Sequence, residues 1–296
     1  MATPDSEQRP VTVAIPTFGR EQVLVDTVQA LLALPVRAAE ILLVDQTPRH
    51  DSSTEARLAQ LVREGRIRWL RLAQPSIPAA MNRALVEASQ EIVLFLDDDV
   101  RLDPQLVEAH WQANQTQESV LVSGRVIQPW DEGRTFTPDA PFEFAGVRGA
   151  WIGEFMAGNF SIRRELALAL GGFDENFVRV AYRFEAEFAH RVARAGMRIR
   201  FDPAACIHHL KVPSGGTRTY GEHLTTWRPD HAVGAYYHAL RTGQVGTFAS
   251  RPWRAVATRY HLRHPWRMPA TLIAELGGML WAIGLWTRGP RTLPLP

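Results

Sequence analysis

The sequence has only one cysteine, Cys206, so no disulfide bond can form within the chain. Because disulfides are typical of oxidising compartments, we expect the protein to work in the cytoplasm, with Cys206 as a small core residue. Residues 1–10 are polar and lack an apolar segment, so no secretory signal is expected at this end. No internal repeat or low-complexity tract is present, and the composition is that of an ordinary globular protein.

The common phosphate-binding loops are missing as well. Neither the loop of P-loop nucleotide-binding proteins nor the G-x-G-x-x-G turn of dinucleotide-binding proteins follows any predicted strand. The sequence therefore disfavours a P-loop kinase and a nicotinamide-dependent dehydrogenase.

Acidic residues are almost absent from residues 251–291, where Glu275 is the only one. The same segment has seven arginines, namely Arg251, Arg254, Arg259, Arg263, Arg267, Arg288 and Arg291. Residues 269–286 are mostly apolar but fall slightly short of the ~20 residues that span a bilayer. Tryptophans among arginines are typical of an interfacial helix on an anionic membrane, and the alternative is a helix that covers the core or a dimer interface. Nucleic-acid binding is not expected, because the basic cluster adjoins an apolar segment.

Short apolar runs alternate with helical patterns through the first 130 residues. The runs at 11–15, 40–45, 67–72, 91–96 and 119–127 predict strands, most of them too apolar to have one face in water. Helices are predicted near 21–34, 54–64, 79–89 and 104–115, the last with Asp103 as its N-cap. This repeat predicts an α/β fold with an open, mostly parallel, twisted sheet flanked by helices.

The pattern changes from about residue 128, where prolines and glycines among aromatic residues predict a loop-rich region that faces substrate. Order returns at 158–172, followed by a helix at 183–195 and a strand pair near 198–208. The remaining predicted helices lie at 231–241, 252–264 and 269–286.

Three adjacent aspartates, Asp97, Asp98 and Asp99, follow the buried strand at 91–96. Ligands of open α/β sheets bind beyond the carboxyl ends of the strands. Packed carboxylates raise one another's pKa unless a cation compensates, and the only positive residue nearby in the sequence is Arg101. We therefore expect a divalent ion, Mg²⁺ or Mn²⁺, shared with substrate phosphates. The alternative is a solvated acidic turn that caps the next helix.

Six short motifs occur in a defined order along the chain. They are AIPTFGR at 14–20, ILLVDQTP at 41–48, PSIPAAMNRAL at 75–85, FLDDDV at 95–100, GNFSIRRE at 158–165 and GGFDENF at 171–177. In this order they resemble the inverting nucleotide-sugar glycosyltransferases of family 2, which have the GT-A fold. The resemblance spans about residues 11–210.

The resemblance implies a set of site residues. The nucleotide would be bound by Pro16, Thr17, Phe18, Arg20, Asp45, Asn82, Asp97 and Asp98, and Asp45 would bond its nucleobase. The metal would be held by Asp99, Asp97 and one of His208 and His209, which point to opposite faces if the strand persists. For Pro16 the alternative is a simple strand end, and for Asn82 it is a surface position.

An inverting transfer needs a base that takes the proton of the acceptor hydroxyl. Glu185 and Glu187 align with the acidic pattern that the family has at the start of a helix, although Phe184 replaces its first acid. Either glutamate could be the base, and Glu185 is preferred. The alternative is that both only occupy the helix N-terminus, where the helix dipole favours negative side chains.

The sequence also predicts a loop hinged at Gly215 and Gly216 that closes over the donor, with Lys211 or Arg218 facing its phosphates.

The function that the resemblance implies is transfer of a sugar from a nucleoside-diphosphate sugar, UDP or dTDP, to a glycan or lipid-linked acceptor. One sugar is expected per encounter, because the processive motif Gln-x-x-Arg-Trp is absent. We expect a nucleotide-sugar half at 1–127, an acceptor and catalytic half at 128–230, and a helical extension at 231–296 on the inner face of the cell membrane. The alternatives are an aspartate-based phosphohydrolase with Asp97 as nucleophile, and a non-catalytic carbohydrate-binding or membrane-scaffold protein.

Overall fold

The computed structural model describes residues 7–115 and 120–295, so Ser119, the first residue of one predicted strand, and residues 1–6 lie outside it. The strands are β1 Gln8–Thr17, β2 Arg37–Asp45, β3 Arg68–Arg71, β4 Ile92–Leu96, β5 Val100–Leu102, β6 Val120–Ile127, β7 Ala150–Ile152, β8 Asn159–Arg163 and β9 Arg198–His209. The helices are α1 Gln22–Leu32, α2 Ser52–Arg63, α3 Ile77–Glu87, α4 Leu106–Ala113, α5 Arg164–Ala169, α6 Phe184–Arg194, α7 Val233–Arg241, α8 Val245–Val256, α9 Arg259–Arg263 and α10 Met268–Trp286.

Nine strands of the described ranges form one twisted sheet, in the order β3-β2-β1-β4-β8-β6-β9-β5 with β7 beside β9. The first four are parallel, as the strand–helix repeat predicts. In this half Thr17 is in register with Asp45, and Ala14 with Phe95, so the carboxyl ends of β1, β2 and β4 share one edge. Beyond β4 the sheet is mixed, since β8 runs antiparallel to both β4 and β6.

Both faces of the sheet are covered by apolar cores. Successive residues of β4 alternate between them, with Val93 and Phe95 in one core and Leu94 and Leu96 in the other. Burial on both sides explains why this strand is apolar at every position. The predicted α/β sheet flanked by helices is therefore confirmed.

Three details of the predicted elements are wrong. The strand pair expected near 198–208 is the single strand β9. Its pairing with β6 has a register shift between Gly124 and Arg125, so an irregular centre does not divide the strand. The helix expected at 252–264 is divided into α8 and α9, because Thr258 caps α9 by accepting from the His261 N–H. Asp103 does not cap α4 but accepts from the Gln105 N–H in the turn before it.

Helix α10 has one buried face and one exposed face. Glu275 lies on the buried face, where it accepts from the Tyr236 hydroxyl at 2.7 Å and pairs with Arg251 at 3.0 Å. The exposed face presents Ile273, Leu276, Leu280 and Ile283. In the described part of the chain, Pro265–Trp286 is the one segment long and apolar enough to cross a membrane, by length and composition alone. Its inner face is nevertheless packed against α7.

Candidate active site

The second aspartate of the triplet joins two strand ends rather than facing a ligand. Asp98 is 7% exposed and accepts from the Thr17 hydroxyl at 2.7 Å and from Arg20 Nε at 3.0 Å. Burial raises the pKa of its carboxyl to about 7, against the opposing charge of Arg20. Thr17 and Asp98 were expected to contact the nucleotide. Because they bond each other, they hold β1 and β4 together at the edge of the sheet, and their contact with the nucleotide stays a prediction.

The charge of the triplet is compensated from distant parts of the chain. Arg20 Nη2 lies 3.3 Å from Asp99, and His209 Nε2 lies 3.1 Å from its other oxygen. Burial alone would raise the pKa of Asp99, but the hydrogen bond from His209 and the charge of Arg20 lower it overall. Arg101, the positive residue nearest in the sequence, contacts His208 and Glu132 instead of the triplet. The premise that only Arg101 was near is therefore wrong.

Three side chains of the site could hold a metal ion. One ligand atom from each of Asp97, Asp99 and His209 lies within 4.8 Å of the others. The Asp97 side chain is 46% exposed, so it can still accept an ion. Two carboxylates and an imidazole suit Mn²⁺ better than Mg²⁺, whose preferred ligands are all oxygens. The donor set therefore fits the expected divalent metal.

His208 is not part of this cluster, as the alternation of side chains along β9 predicts for one of the two histidines. Its Nδ1 accepts from Arg101 at 2.8 Å, and Glu132 lies 3.6 Å away. Of the two histidines, His209 is therefore the one in the cluster, and His208 lies outside it.

Gly158 gives Asp97 the space that it occupies. A Cβ atom at this position would lie 2.1 Å from Asp97 Oδ2. The Gly158 carbonyl also accepts from the Asp97 N–H at 3.0 Å, so the two backbones are in direct contact. Only glycine permits this approach without moving the carboxylate.

The two candidate bases have different surroundings. The Glu187 side chain is 3% exposed and bonds Arg191 at 2.9 Å, with Arg241 3.5 Å away. Glu187 is thus a buried ion-pair residue, which disfavours it as the base. The half-buried Glu185 has its pKa raised to about 7 by burial and by the charges of Glu154 and Asp97. This leaves Glu185 as the candidate base.

The turn before Glu185 is conformationally strained. Arg179, Ala181 and Arg183 have φ angles of 61°, 54° and 73°, in the left-handed region that side chains disfavour. Each such residue costs on the order of 1 kcal/mol and persists only where its surroundings hold it. Phe184 supplies an anchor, since its ring packs edge-on against Phe173 with 5.8 Å between centroids. This packing explains an aromatic residue where the family has an acid.

Asp45 ends β2 in a closed pocket. It has no exposed surface and accepts from His50 Nε2 at 2.7 Å, Trp69 Nε1 at 2.9 Å and the Thr47 N–H at 2.8 Å. Burial would lower the pKa of His50, but Asp45 and Glu21 raise it overall. The base-binding role of Asp45 stays a prediction. His50 and Trp69 were missed, because neither belongs to a motif.

Asn82 has a different place from the one expected. It is 1% exposed, and its amide donates to the Phe173 carbonyl at 2.8 Å while accepting from the Phe173 N–H at 2.7 Å. Glu175 takes a further bond at 3.1 Å. Asn82 therefore ties α3 to the segment before α6. It is not a surface residue, and its place beside the nucleotide stays a prediction.

The segment after β9 lies over the strand-end residues. The Gly216 N–H donates to the Phe18 carbonyl at 2.8 Å, and a Cβ at Gly215 would meet the Gly19 carbonyl at 2.3 Å. Arg218 Nη1 lies 3.9 Å from Asp99, whereas Lys211 stacks on the Trp130 ring. Of these two positive residues, Arg218 is thus the one that lies beside the metal-binding cluster, where the Val212 N–H also donates to Asp99 at 3.0 Å. Pro16 continues β1 in register with Val44 and is half-buried.

Comparisons with known proteins agree with this architecture. The glycosyl transferase family 2 pattern matches residues 12–186. A mannosyltransferase from Pyrobaculum calidifontis, solved with GDP-Man and Mn²⁺, superimposes with a TM-score of 0.56 at 19% identity, over 97% of this chain and 83% of that one. TarS 1–349 from S. aureus, solved with UDP-GlcNAc, gives 0.54 at 16% identity, over 78% and 66%.

Glucosyl-3-phosphoglycerate synthase from Mycobacterium tuberculosis, solved with Mn²⁺, UDP and glucosyl-3-phosphoglycerate, gives a TM-score of 0.51 at 16% identity, over 79% of this chain and 80% of that one. No curated protein sequence matches the chain. At these identities the structural similarities establish the fold, while the family match covers more than half of the residues. The chain belongs to glycosyl transferase family 2 and has the GT-A fold.

Proposed function

We propose that the protein transfers one sugar, with inversion, from a nucleoside-diphosphate sugar to a hydroxyl of a glycan or lipid-linked acceptor. One observation carries the proposal: the Asp97, Asp99 and His209 cluster lies near enough to Glu185 for Asp97 to raise its pKa. An ion-binding group and a base of suitable pKa are thus neighbours. The family match favours this transfer over the phosphohydrolase and non-catalytic alternatives.

On the donor side, Asp97, Asp99 and His209 would hold Mn²⁺ or Mg²⁺. When bound, the ion would neutralise charge that develops on the departing diphosphate. Arg218 lies on the same side of Asp99 as Arg20, and it can add a positive charge near those phosphates. We propose UDP or dTDP as the nucleotide.

On the acceptor side, Glu185 would accept the proton of the attacking hydroxyl. A base works best when its pKa lies near the working pH, because it is then both largely ionised and adequately basic. A pKa of about 7 fits this requirement. The anchored turn around Arg183 and Phe184 fixes the backbone at the start of α6, from which the Glu185 side chain extends.

The proposal is tested by a thermal-shift screen with UDP, dTDP and GDP, each with and without Mn²⁺. We expect a rise in Tm for UDP or dTDP that depends on Mn²⁺, since a ligand that binds only the folded state stabilises it. The Asp97→Asn variant should lose the Mn²⁺-dependent part. Glu132→Gln, which alters an exposed acid paired with Arg101, should keep it. A wild-type protein that responds to no nucleotide would disprove the proposal.

We propose further that residues 1–127 form the donor half, residues 128–230 the acceptor half, and residues 231–296 a membrane-facing extension in the cytoplasm. The extension exposes large apolar side chains beside its arginines, among them Trp253 at 72%, Trp266 at 68%, Leu280 at 60% and Ile273 at 59%. An apolar face bordered by arginines suits the headgroup boundary of an anionic membrane.

Point variants test this extension better than a deletion, which would uncover the α7 face beneath α10. In flotation with anionic vesicles, we expect Ile273→Glu with Leu280→Glu to lower the bound fraction several-fold. Val86→Glu, at an exposed position on α3, should bind like the wild type. Equal binding by all three proteins would exclude α10 as the contact.

A further inference from the structure

A cavity of about 710 Å³ lies between the turn before α6 and the C-terminal helices. Its wall begins at Glu154 and Arg183, two of the three residues whose charges act on Glu185. It continues along residues 223–231 and along the inner sides of α7, α8 and α10. The cavity therefore lies beside the proposed base. Two of the helices on its far wall, α8 and α10, also expose large apolar side chains, such as Trp253 and Leu280.

The wall has more positive than negative charge. Its two acids are both paired: Glu154 with Arg183 at 3.1 Å, and Glu275 with Arg251 at 3.0 Å. Two further arginines on the wall, Arg228 and Arg254, form no ion pair with any residue that the structure describes. Two guanidinium groups thus remain available in a cavity large enough for a ligand.

Three histidines line the same cavity, and two of them have a lowered pKa, mainly because they are buried and partly because of nearby positive groups. Burial, with the charges of Arg183 and His190, lowers the pKa of His238 to about 4. Burial lowers the pKa of His223 as well, with contributions from His231 and Arg251. An anion bound here would relieve this repulsion.

Guanidinium groups bind phosphate oxygens through paired, charge-assisted hydrogen bonds, which makes arginine the usual residue for phosphate recognition. We propose that this cavity binds a phosphate ester carried by the acceptor, with Arg228 and Arg254 as its ligands. The inference rests on the proposed transferase function, since it places the acceptor hydroxyl at Glu185. The phosphate belongs either to a lipid-linked acceptor, whose chain would follow the apolar helices, or to a soluble sugar phosphate.

The test measures binding to the full chain in the presence of Mn²⁺ and a saturating amount of the nucleoside diphosphate found in the thermal-shift screen. This occupies the donor site, so that phosphate probes report on the cavity. The probes are geranyl phosphate, glucose 1-phosphate and the unphosphorylated alcohol geraniol. The variants are Arg228→Gln with Arg254→Gln, and the control Arg259→Gln, an exposed arginine outside the cavity.

We expect at least one phosphate probe to bind the wild type, and the double variant to bind it about a hundredfold more weakly, roughly tenfold for each lost charge-assisted contact. Arg259→Gln should bind like the wild type, and nucleotide binding should be equal in all three proteins. Tighter binding of geranyl phosphate supports the lipid-linked source, and tighter binding of glucose 1-phosphate supports the soluble one.

The inference is overturned if geraniol binds as well as its phosphate, or if the double variant keeps the wild-type affinity. It is also overturned if the nucleotide binds while neither phosphate probe does, a result that leaves the transferase proposal intact. Absence of nucleotide binding by the wild type would instead remove the transferase proposal itself.

Discussion

Replacing Glu185 and Glu187 separately by glutamine should separate catalysis from stability. Removing one partner of a buried ion pair costs roughly 3–5 kcal/mol. We take the lower end for Glu187→Gln, because Arg191 is 17% exposed and keeps its bond to the Leu170 carbonyl at 2.6 Å. About 3 kcal/mol lowers the Tm of a chain of this size by about 6 °C. Glu185 forms no ion pair within the described ranges, so Glu185→Gln should leave the Tm nearly unchanged at about pH 5, where the Glu185 carboxyl is mostly protonated.

Sugar transfer should respond in the opposite way. Loss of a general base lowers kcat by about 10²–10⁴-fold, so Glu185→Gln should be almost inactive, whereas Glu187→Gln should retain most of its activity below its own Tm. The assay pairs scanning calorimetry with release of the nucleoside diphosphate in single-turnover reactions. A Glu185→Gln protein with the kcat of the wild type would refute the assignment of the base.

The pH dependence follows from the same residue. A base must be ionised, so kcat should rise as the pH increases through about 7. The raised pKa also means that the folded state holds this proton more tightly than the unfolded chain. The contribution of Glu185 to stability is therefore present below pH 4.5, its ordinary value, and is lost as the pH rises through about 7. Glu185→Gln should remove this component, which urea unfolding at pH 5 and pH 8 can measure. A kcat that does not change between pH 6 and pH 8 would contradict the predicted rise with pH.

Two further pairs of variants test the metal-binding group. His209→Asn should weaken Mn²⁺ binding about tenfold or more. His208→Asn, at the neighbouring position on the other face of β9, should not weaken it. Calorimetric titration with Mn²⁺ measures both affinities, and equal values would exclude His209 as a ligand. Gly158→Ala should displace the Asp97 carboxylate and lower both Mn²⁺ affinity and transfer, because the added methyl group would lie 2.1 Å from an oxygen. Gly153→Ala, with no atom within 4 Å of its Cβ, is the matched control, and identical titrations for the two alanine variants would show that the carboxylate can move without cost.

The parts of the site that local sequence predicts are those at the ends of apolar strands. Asp45 and the 97–99 triplet follow β2 and β4 directly, and parallel pairing brings such positions to one edge. The period of apolar residues therefore predicted the parallel half of the sheet well. It also predicted that only one of the two adjacent histidines would reach the cluster.

The parts that it missed depend on contacts between distant residues. Arg20 meets Asp98 across 78 positions, so charge compensation within the triplet could not be inferred from its neighbours. The three-residue strand β7 is too short to show a period. The different surroundings of Glu185 and Glu187 depend on which side of α6 packs against α7, where Arg241 lies beside Glu187.

The left-handed turn at Arg179, Ala181 and Arg183 has a practical consequence for anyone who wishes to make this enzyme withstand heat. Glycine adopts such angles freely, and a glycine at position 181 would relieve local strain in the folded state while adding freedom to the unfolded chain. Position 181 lies four residues before Glu185, the proposed base, so a looser turn would give that carboxylate more freedom to move. Gains in durability sought at this turn should therefore come with slower turnover, and mutagenesis aimed at thermostability is better directed to surface helices far from it.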